Sequence, residues 1–418
     1  MAGLLNLIQQ MTEHGKAHGL TGSPVEADWP ALTLAEVDGL LRGYPQAGGA
    51  VRVVSVSPRP FSAASVVETP RGRVFVKRHA SVVRDGDGLM EEHRLLEYLA
   101  GRTSLVKAAL KDRDGRSAVG IGDWTYEVHP VAEGVDVYEE ALSWTPFLHA
   151  GHARAAGRAL AELHQAAEGY GAPRRKVQQL VSSFTIFGGE LAGGAGLDRL
   201  PAGPVARMER YLDARPLLRA YAEKRAWRRS IEELLLPFYE KLRPWLGGLA
   251  PLWTQNDLHA SNLIWMEPGS DAAAEACVRS VSVIDFGLAD RTTAVHDVAT
   301  ALERNVVEWL RIGEPDEAGL VHFDHVDALL EGYEDVRGMS PEERQALVTL
   351  LPLVHCEFAL SETDYFLSVL LSEEKARLGY EGYFLGHAEW FLSEAGRGLL
   401  DHLQRWADGK AVSRGGER

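Results

Sequence analysis

Two short acidic motifs, one hairpin apart, contain the residue types that phosphoryl transfer requires. The first runs from Asn256 to Asn262 and includes Asp257, and the second is an Asp-Phe-Gly tripeptide that begins at Asp285. A transferring phosphoryl group needs a carboxylate that orients the attacking hydroxyl and accepts its proton, and it needs oxygen ligands for Mg²⁺. Asp257 fits the first role. Asn262 and Asp285, a carboxamide and a second carboxylate, fit the second role and predict a metal site.

These motifs need a scaffold, and the rest of the chain predicts one with two lobes. Residues 1–45 predict a helical N-terminal extension, with the start of a capped helix at Thr33. Residues 46–134 predict a β-rich lobe, and residues 135–408 predict a mainly helical lobe that contains both motifs. The last residues, 409–418, are polar, so we expect a disordered tail there.

The β-rich lobe is predicted from short β-branched or alternating runs that turn-forming residues separate. A helix with apolar residues at helical spacing interrupts these runs and is predicted over residues 88–100. The predicted strands cover residues 51–56, 65–69, 73–77, 117–121 and 124–131.

The helical lobe is predicted from amphipathic patterns that dominate the second part of the chain. These patterns predict helices within residues 155–167, 208–246 and 296–406. A stretch rich in Gly and Ala, residues 188–204, predicts a mobile loop between the first two of them.

The composition is that of a soluble globular protein, and it disfavours one class of partner. At 418 residues the chain is long enough for two lobes with substantial cores. The net charge of -15, from 44 basic and 59 acidic residues, argues against nucleic acid as the main partner, because phosphate backbones are bound by positive surfaces. The same charge is compatible with a small cationic substrate.

The cysteines and the absence of targeting signals favour a cytoplasmic protein. Cys277 and Cys356 are far apart and have no metal-binding spacing, so we expect two free thiols in a reducing compartment. Residues 1–15 have no basic region that leads into an apolar core, and no secretory signal is expected. The apolar stretch Leu347–Leu360 is too short to span a membrane and contains polar side chains, so no membrane contact is expected.

With these motifs in place, the chain resembles the aminoglycoside phosphotransferase and choline kinase family. The stretch Gln255–Asn262 is similar to the family's catalytic loop, of His-Gly-Asp-x-His-x-x-Asn type, and Ile284–Gly287 is similar to its metal-binding motif. His296–Ala299 resembles the Asp-Leu-Ala segment that braces the catalytic loop. The resemblance covers Leu32 to Leu403. It implies an α+β fold of the protein-kinase-like type, with a β-rich N-lobe and a mainly helical C-lobe.

Two positions depart from the family pattern. Gln255 stands where His is usual, and Asn256 stands where Gly or Arg is usual. Both residues precede the proposed base, and we expect them to support its loop by hydrogen bonds. Gln can make such bonds, so this departure concerns the substrate subfamily more than activity.

The resemblance also implies where the nucleotide phosphates bind. Lys77, at the end of the third predicted strand, corresponds to the lysine that neutralises the α- and β-phosphates. Glu92 on the following helix would be its ion partner, with Glu91 as the neighbouring alternative. The segment 58–65 would cover the phosphates; it lacks the usual spaced glycines and offers Ser62 and Ser65 among small residues instead.

The adenine ring has an expected position as well. By the same resemblance, Tyr126–Pro130 forms the hinge between the lobes, and the backbone around Val128 contacts adenine. Gly134 would end the hinge.

Several other polar residues have a structural interpretation beside a functional one. His259 is best interpreted as a hydrogen-bonded structural histidine, because phosphoryl transfer does not require it, and Asp297 is best interpreted as a brace for the loop. The site acids themselves could be turn-forming carboxylates. Acidic residues on the late helices could bind an amine or could simply be solvated: Glu303, Glu308, Glu357 and Asp364.

The sequence therefore predicts a kinase that uses ATP and Mg²⁺ to phosphorylate a hydroxyl of a small molecule. The acceptor classes that the resemblance implies are amino sugars, aminoglycosides, sugars and amino alcohols, and a cationic acceptor is one option. One alternative is a kinase that phosphorylates Ser or Thr of a precursor peptide in natural-product biosynthesis. Another is a pseudokinase that serves as a binding scaffold, since Gln255 and the phosphate-covering segment are both unusual.

Overall fold

The computed structural model describes residues 27–57, 59–139, 141–142, 144–189, 203–266, 278–312 and 319–409. Four predictions fall wholly or mostly on other residues: the first part of the helical extension, the loop at 188–204, the free thiol of Cys277 and the tail beyond residue 409. They lie outside the described part of the chain.

The small lobe is built on an antiparallel sheet, as the sequence predicts, and one helix packs on each side of it. Its five strands are ordered β1-β2-β3-β5-β4, and β2 and β3 form a hairpin that turns at Pro70 and Arg71. The elements are α1 Leu34–Leu41, β1 Arg52–Val56, β2 Ala63–Thr69, β3 Gly72–Ala80, α2 Gly86–Ala100, β4 Ala118–Ile121 and β5 Trp124–Pro130.

Helix α1 packs on the sheet and belongs to the core of the small lobe. A capping box starts it: the Thr33 hydroxyl accepts from the N–H of Glu36, and the Glu36 carboxylate accepts from the N–H of Thr33. Its apolar face joins Val67, Val76 and Val128 of the sheet in one buried cluster. The part of the predicted extension that the structure describes therefore stabilises the nucleotide-binding lobe.

Helix α2 packs on the other face of the sheet, towards the large lobe. Asp85 caps it by accepting from the N–H of Gly88 at 2.8 Å. Leu89, Leu96 and Leu99 are buried, which confirms the predicted apolar face, and Leu96 and Leu99 reach the main core. Glu92 is buried on the same helix, and it lies close enough to Lys77 of β3 for its charge to affect that residue.

The lobes are joined just after β5. Val135 and Trp265 exchange two backbone hydrogen bonds, both of 2.9 Å, which tie the connecting segment to the large lobe. Gly134 precedes this bridge with φ +122°, and a Cβ there would lie 2.7 Å from the carbonyl oxygen of Trp265. Only glycine fits both the backbone conformation and the close approach.

The large lobe is mainly helical, with two short antiparallel strand pairs, β6 with β9 and β7 with β8. Its elements are α3 Ala150–Ala167, α4 Pro204–Asp213, α5 Pro216–Glu223, α6 Trp227–Ser230, α7 Leu236–Leu242, β6 Pro251–Thr254, β7 Leu263–Met266, β8 Arg279–Val283, β9 Asp290–Thr293, α8 Ala294–Asn305, α9 Phe323–Glu334, α10 Pro341–Leu350, α11 Cys356–Ser368, α12 Glu373–Arg377, α13 Gly386–Trp390 and α14 Glu394–Ala407. A π-helical stretch, Leu378–Leu385, links α12 to α13.

One long helical stretch of the large lobe has the length and hydropathy of a membrane span. This stretch, Pro341–Ser368, has a window of mean hydropathy 1.2, and 94% of that window is buried inside the protein. Its apolar residues are therefore used by the core. The helix α11 within it supplies one wall of the site described next.

Candidate active site

The two acidic motifs lie side by side because two strand pairs hold them there. Strand β6 leads into the Asp257 loop and pairs with β9, which follows the Asp285 loop. Strand β7 leaves the Asp257 loop and pairs with β8, which enters the Asp285 loop. The N–H of Ile284 donates to the carbonyl of Asn262 at 2.9 Å, which closes the gap between the two loops. We call these two loops and their braces the floor of the site.

Two residues of the floor have left-handed backbone conformations. Asn256 has φ +61° and Asp285 has φ +54°. Such conformations cost a non-glycine residue about 1–3 kcal/mol, and they persist where surrounding contacts impose them. In both cases the strained residue turns the chain so that an acidic side chain faces the cleft.

Gln255, which departs from the family pattern, bridges the two loops. Its Nε2 donates to the carbonyl of Asp285 at 2.7 Å, and its Oε1 accepts from the N–H of Asp257 at 2.7 Å. The other departure, Asn256, accepts from the hydroxyls of Thr254 and Thr292 at 2.8 and 3.1 Å. The expected support of the loop by these two residues is confirmed by these contacts.

Asp297 braces the same loop from below. One carboxylate oxygen accepts from the N–H of Asn256 at 2.8 Å, and the other accepts from the N–H of Gln255 at 2.9 Å. The second oxygen also lies 3.1 Å from Nε2 of His164. Asp297 is fully buried, so it positions the loop and does not reach the cleft.

Asp257 points into the cavity with its charge partly balanced. Nη2 of Arg304 lies 2.9 Å from Oδ1 of Asp257, and Nδ2 of Asn262 donates to Oδ2 at 3.3 Å. Burial raises the pKa of Asp257 to about 7, the nearby charge of Asp285 adds to the rise, and Arg304 opposes it. A carboxylate with a pKa near neutrality can accept a proton from a substrate hydroxyl and release it again.

Asp285 forms an ion pair with Lys77 across the cleft. Nζ of Lys77 lies 3.1 Å from Oδ1 of Asp285, and the N–H of Gly287 donates to the same oxygen at 3.2 Å. Although burial raises the pKa of Asp285, these partners bring it below its ordinary value. Burial likewise lowers the pKa of Lys77, and the charges of Asp285 and Glu127 outweigh this and raise it. Both groups are charged at neutral pH.

Asn262 and Asp285 fit a divalent metal ion. Asn262 uses its amide nitrogen for bonds to Asp257, which leaves its amide oxygen as a ligand, and Asp285 uses Oδ1 for its protein contacts, which leaves Oδ2. Both side chains line the same cavity. Carboxylate and carboxamide oxygens are the ligands that Mg²⁺ prefers.

The predicted pairing of Lys77 with Glu92 is wrong for this structure, which describes both residues. Glu92 is 4% exposed and lies 3.6 Å from Nη1 of Arg175, while Lys77 pairs with Asp285. A second acid, Glu127, is the cross-strand neighbour of Lys77 in the sheet. Glu92 affects Lys77 through its nearby charge and makes no direct contact with it.

Glu127 itself is held by three histidines. Its carboxylate lies within 2.8 to 2.9 Å of Nε2 of His79, His93 and His129. Burial raises the pKa of Glu127, and these imidazoles, His129 first, bring it well below its ordinary value. An ionised carboxylate therefore lies behind Lys77 in the position where the sequence pointed to Glu92.

The two predicted serines separate in the structure. Ser62 lines the cavity beside Lys77. Ser65 lies within β2 opposite Val76, and its side chain faces the core of the small lobe, on the sheet face opposite to Lys77. Its assignment to phosphate binding is therefore wrong, because the strand begins at Ala63, earlier than predicted.

The segment before β2 closes over the cavity. Nη2 of Arg59 donates to Ser261 Oγ of the floor at 2.6 Å. The ring of Phe61 packs edge-on against Tyr365 of α11, with 5.6 Å between centroids. The cavity that this segment lines has a volume of about 140 Å³ and is partly open to solvent.

Val128 is also displaced from its predicted role. It pairs with Val76 inside the sheet, its side chain is fully buried in the small-lobe core, and its carbonyl accepts from the N–H of Leu110 at 2.7 Å. Val128 therefore lies within strand β5 and not in the segment that connects the lobes, which begins after Pro130.

The late acidic residues that could have bound an amine have internal partners. Glu357 accepts four hydrogen bonds from residues 183–186, and Asp364 lies 3.8 Å from Arg215. Glu303 lies 2.5 Å from Nδ1 of His387, and Glu308 lies 2.8 Å from Nε2 of His322. Each of these carboxylates stabilises the helical lobe.

His259 has the structural role that the sequence suggested. Its Nδ1 lies 2.8 Å from Ser261 Oγ. Burial, with the charges of Arg59 and Arg304, holds the pKa of His259 well below its ordinary value, so the ring is neutral. It is neither a general acid nor a substitute for Asp257.

Sequence analysis missed the arginines of the site. Arg175 and Arg84 both donate to the carbonyl of Gly287, at 2.9 and 3.2 Å, and hold the second motif in place. Arg59 and Arg304 line the cavity next to Asp257. No local motif marks these positions. The only sequence signal that could have marked them is an arginine at a position that helical spacing, or a Pro-rich loop, predicts to be partly buried.

Comparison with known proteins identifies the family. The chain matches the phosphotransferase enzyme family over residues 61–338. No curated protein matches the sequence.

Three solved structures of similar proteins are distant in sequence. A microcompartment-associated aminopropanol kinase is 17% identical, with a TM-score of 0.50, over 87% of this chain and 99% of that chain. An amicoumacin kinase, solved with AMP-PNP and Ca²⁺, is 13% identical, with a TM-score of 0.49, over 89% and 92%. An aminoglycoside phosphotransferase from Alicyclobacillus acidocaldarius is 16% identical, with a TM-score of 0.45, over 93% and 99%.

The fold and the site together define a two-lobed, kinase-like phosphotransferase. Because the family match covers more than half of the chain, the protein belongs to the phosphotransferase enzyme family. The predicted fold class, the resemblance and the assignment as a kinase are confirmed.

Proposed function

We propose that this phosphotransferase transfers the γ-phosphoryl group of ATP, with Mg²⁺, to a hydroxyl of a small molecule. The observation that carries the proposal is the convergence of four side chains on one cavity between the lobes: Lys77, Asp257, Asn262 and Asp285. Each is the residue type that phosphoryl transfer requires at that place.

The four side chains have separate roles in the proposed reaction. Lys77 holds the α- and β-phosphates, and Asn262 and Asp285 hold the metal ion. A metal ion held there would neutralise negative charge on the phosphates. Asp257 orients the acceptor hydroxyl and receives its proton as the new oxygen–phosphorus bond forms. The bond between the γ-phosphorus and the bridging oxygen breaks, and ADP leaves with that electron pair.

The alternatives receive less support. A scaffold has no use for a metal-ligand pair and a buried base, and all four groups are present here. A peptide acceptor finds no support in the comparisons.

Thermal unfolding with and without nucleotide tests the first half of the proposal. A ligand at about 100 times its Kd should stabilise the folded state by about 2.7 kcal/mol. We expect this shift with ATP and Mg²⁺, and its loss in Lys77→Ala. Lys111→Ala is the matched control, because Lys111 is exposed on the small lobe and pairs only with Glu97. If neither ATP nor GTP shifts the unfolding of the wild-type protein, the scaffold alternative is favoured.

Release of ADP tests the second half. The acceptor panel contains amino sugars, aminoglycosides, sugars, amino alcohols and Ser-containing peptides. We expect at least one small hydroxyl compound to accelerate ADP release and to gain a phosphate by mass spectrometry. Phosphorylation of the peptides alone would transfer the assignment to the peptide alternative.

A further inference from the structure

Beyond Asp257 the cavity continues between helices of the large lobe. We call this side the acceptor wall, and it consists of five residues that come from four distant parts of the chain. They are Trp144, Arg304 of α8, Phe358 and Glu362 of α11, and Tyr383 of the π-helical stretch. Three of the five are aromatic, so the wall can bury a flat or apolar body. Its charged members decide which polar groups that body can carry.

Arg304 is the residue where the acceptor wall meets the floor. Its Nη2 lies 2.9 Å from Oδ1 of Asp257, and its guanidinium carbon lies 4.0 Å from the centre of the Trp144 ring. The stacked ring and the ion pair fix the plane of the guanidinium. An acceptor whose hydroxyl contacts Asp257 must therefore place its neighbouring atoms next to Arg304.

Arg304 retains hydrogen-bonding capacity in a buried position. The residue is 6% exposed, and its Nε has no hydrogen-bond partner among the described residues. A guanidinium has five N–H donors, and a buried donor without a partner costs about 1–3 kcal/mol. Oδ1 of Asp257 is likewise buried with no hydrogen bond of good geometry to the protein. Two adjacent, incompletely satisfied groups of opposite charge point to a ligand that serves both.

A cationic acceptor, bound by acidic residues of the large lobe, receives little support. Glu303, Glu308, Glu357 and Asp364, which could have bound an amine, have the internal partners described above. Among the described residues that line the cavity, the acids are Asp257, Asp285 and Glu362. The first two belong to the reaction itself. Arg304 is therefore the charged residue of the wall that is in contact with Asp257.

We propose that the acceptor carries an anionic oxygen group, a carboxylate or a phosphate ester, within a few bonds of the hydroxyl that is phosphorylated. Arg304 binds that group, Asp257 binds the hydroxyl, and the aromatic wall covers the body of the molecule. The inference rests on the proposed function and specifies its substrate class.

Matched acceptors that differ only in charge test the inference. Suitable sets are glycerate, glycerol and glycerol phosphate; serine, serinol and ethanolamine; and glucuronate, glucose and glucosamine. We expect kcat/KM for the anionic members to exceed that of the neutral and amine members by about tenfold or more, since hydrogen bonds to charged groups contribute about 1.5–3 kcal/mol. The first set distinguishes a carboxylate from a phosphate ester.

The variant Arg304→Gln separates recognition from catalysis. It also changes the environment of Asp257, so its absolute rates fall for every acceptor. The ratio of kcat/KM between an anionic acceptor and its neutral partner cancels that shared loss. We expect the ratio to collapse towards one in Arg304→Gln and to be partly kept in Arg304→Lys.

Two results would overturn the inference. One is a preference for amine or neutral acceptors in the wild-type protein, and the other is a ratio that Arg304→Gln leaves unchanged. The inference is also refuted if ATP and Mg²⁺ stabilise the protein but no anionic acceptor is turned over and none stabilises it. That result would leave the kinase assignment intact. Absence of nucleotide binding would instead refute the proposed function.

Discussion

The floor of the site and the acceptor wall are built in different ways. In the floor, the backbone around Asp257 and Asp285 is fixed by side chains that bond to it directly, such as Gln255 and Asp297. In the acceptor wall, side chains such as Trp144 and Arg304 are held by ring contacts and by each other. The floor is thus fixed in one geometry, whereas a single substitution in the wall can change its shape and charge.

This difference separates chemistry from recognition. Damage to the floor should affect every acceptor equally, because it moves the base or the metal ligands. Damage to the wall should change the choice of acceptor and leave nucleotide binding unchanged. Enzymes of one fold serve different substrates in this manner, since function depends on sites added to a common scaffold.

The largest effect is expected at the base. Asp257→Asn keeps the size of the side chain but removes its ability to accept a proton, so transfer should fall by about 10²-fold or more. Binding of ATP with Mg²⁺ should persist, because Asp257 is not a metal ligand. Single-turnover kinetics with radiolabelled ATP measure the first quantity and calorimetry the second. Transfer at the wild-type rate would remove Asp257 from the role of base.

The next effect concerns the brace of the floor. Asp297→Ala leaves two backbone N–H groups and Nε2 of His164 without their buried partner, so it should lower the free energy of unfolding by about 2–5 kcal/mol. Chemical denaturation measures this. Asp335→Ala is the control, because Asp335 is exposed and forms surface ion pairs with Arg154 and Arg158. Equal losses in the two variants would contradict the account of the floor.

A wall substitution should act on the acceptor alone. Trp144→Phe keeps an aromatic ring but reduces the surface on which Arg304 stacks, so KM for the acceptor should rise by about tenfold at most. KM for ATP should stay within about twofold of the wild-type value. Trp406→Phe, in α14 and outside the cavity, is the control. A matching rise in KM for ATP would mean that the wall and the floor are not separate.

The smallest effect is a displacement of the pH profile. Burial raises the pKa of Asp257 to about 7, and transfer needs the ionised form, so kcat should rise by about tenfold per pH unit up to that value and level off above it. Arg304 lowers this pKa, so Arg304→Gln should move the rising limb to higher pH. The measurement is kcat from about pH 5.5 to 9 at saturating substrates. A flat profile below pH 7 would show that Asp257 does not titrate in the reaction.

The floor could be predicted from sequence because its parts are local. Asp257 and Asn262 lie in one loop, Asp285 follows a strand, and the capped helix at Thr33 uses residues three apart. The same short range allowed most strands of the small lobe to be placed. Local patterns report hydrogen bonds and periodicity well, because the partners are neighbours in the chain.

The misplaced predictions each depended on longer-range packing. Glu92 and Glu127 are both acids near Lys77, and only the position of β5 decides which one faces it. Ser65 was misplaced because β2 begins at Ala63, two residues earlier than predicted, and its side chain faces the core. Val128 was misplaced because the hinge was assigned to residues that pair within β5. The acceptor wall, with Trp144 and Arg304 far apart in sequence, has no local signal at all.

The central claim is that Asp285 holds a metal ion that ATP binding requires, in the same cavity as Lys77 and Asp257. The most direct test is calorimetric titration of ATP, with and without Mg²⁺, into the wild-type protein and into Asp285→Ala. Asp324→Ala, which removes an exposed acid of α9, serves as the control. We predict that Mg²⁺ strengthens ATP binding to the wild-type and control proteins, and that Asp285→Ala abolishes this dependence. Equal dependence on Mg²⁺ in all three proteins would contradict the account.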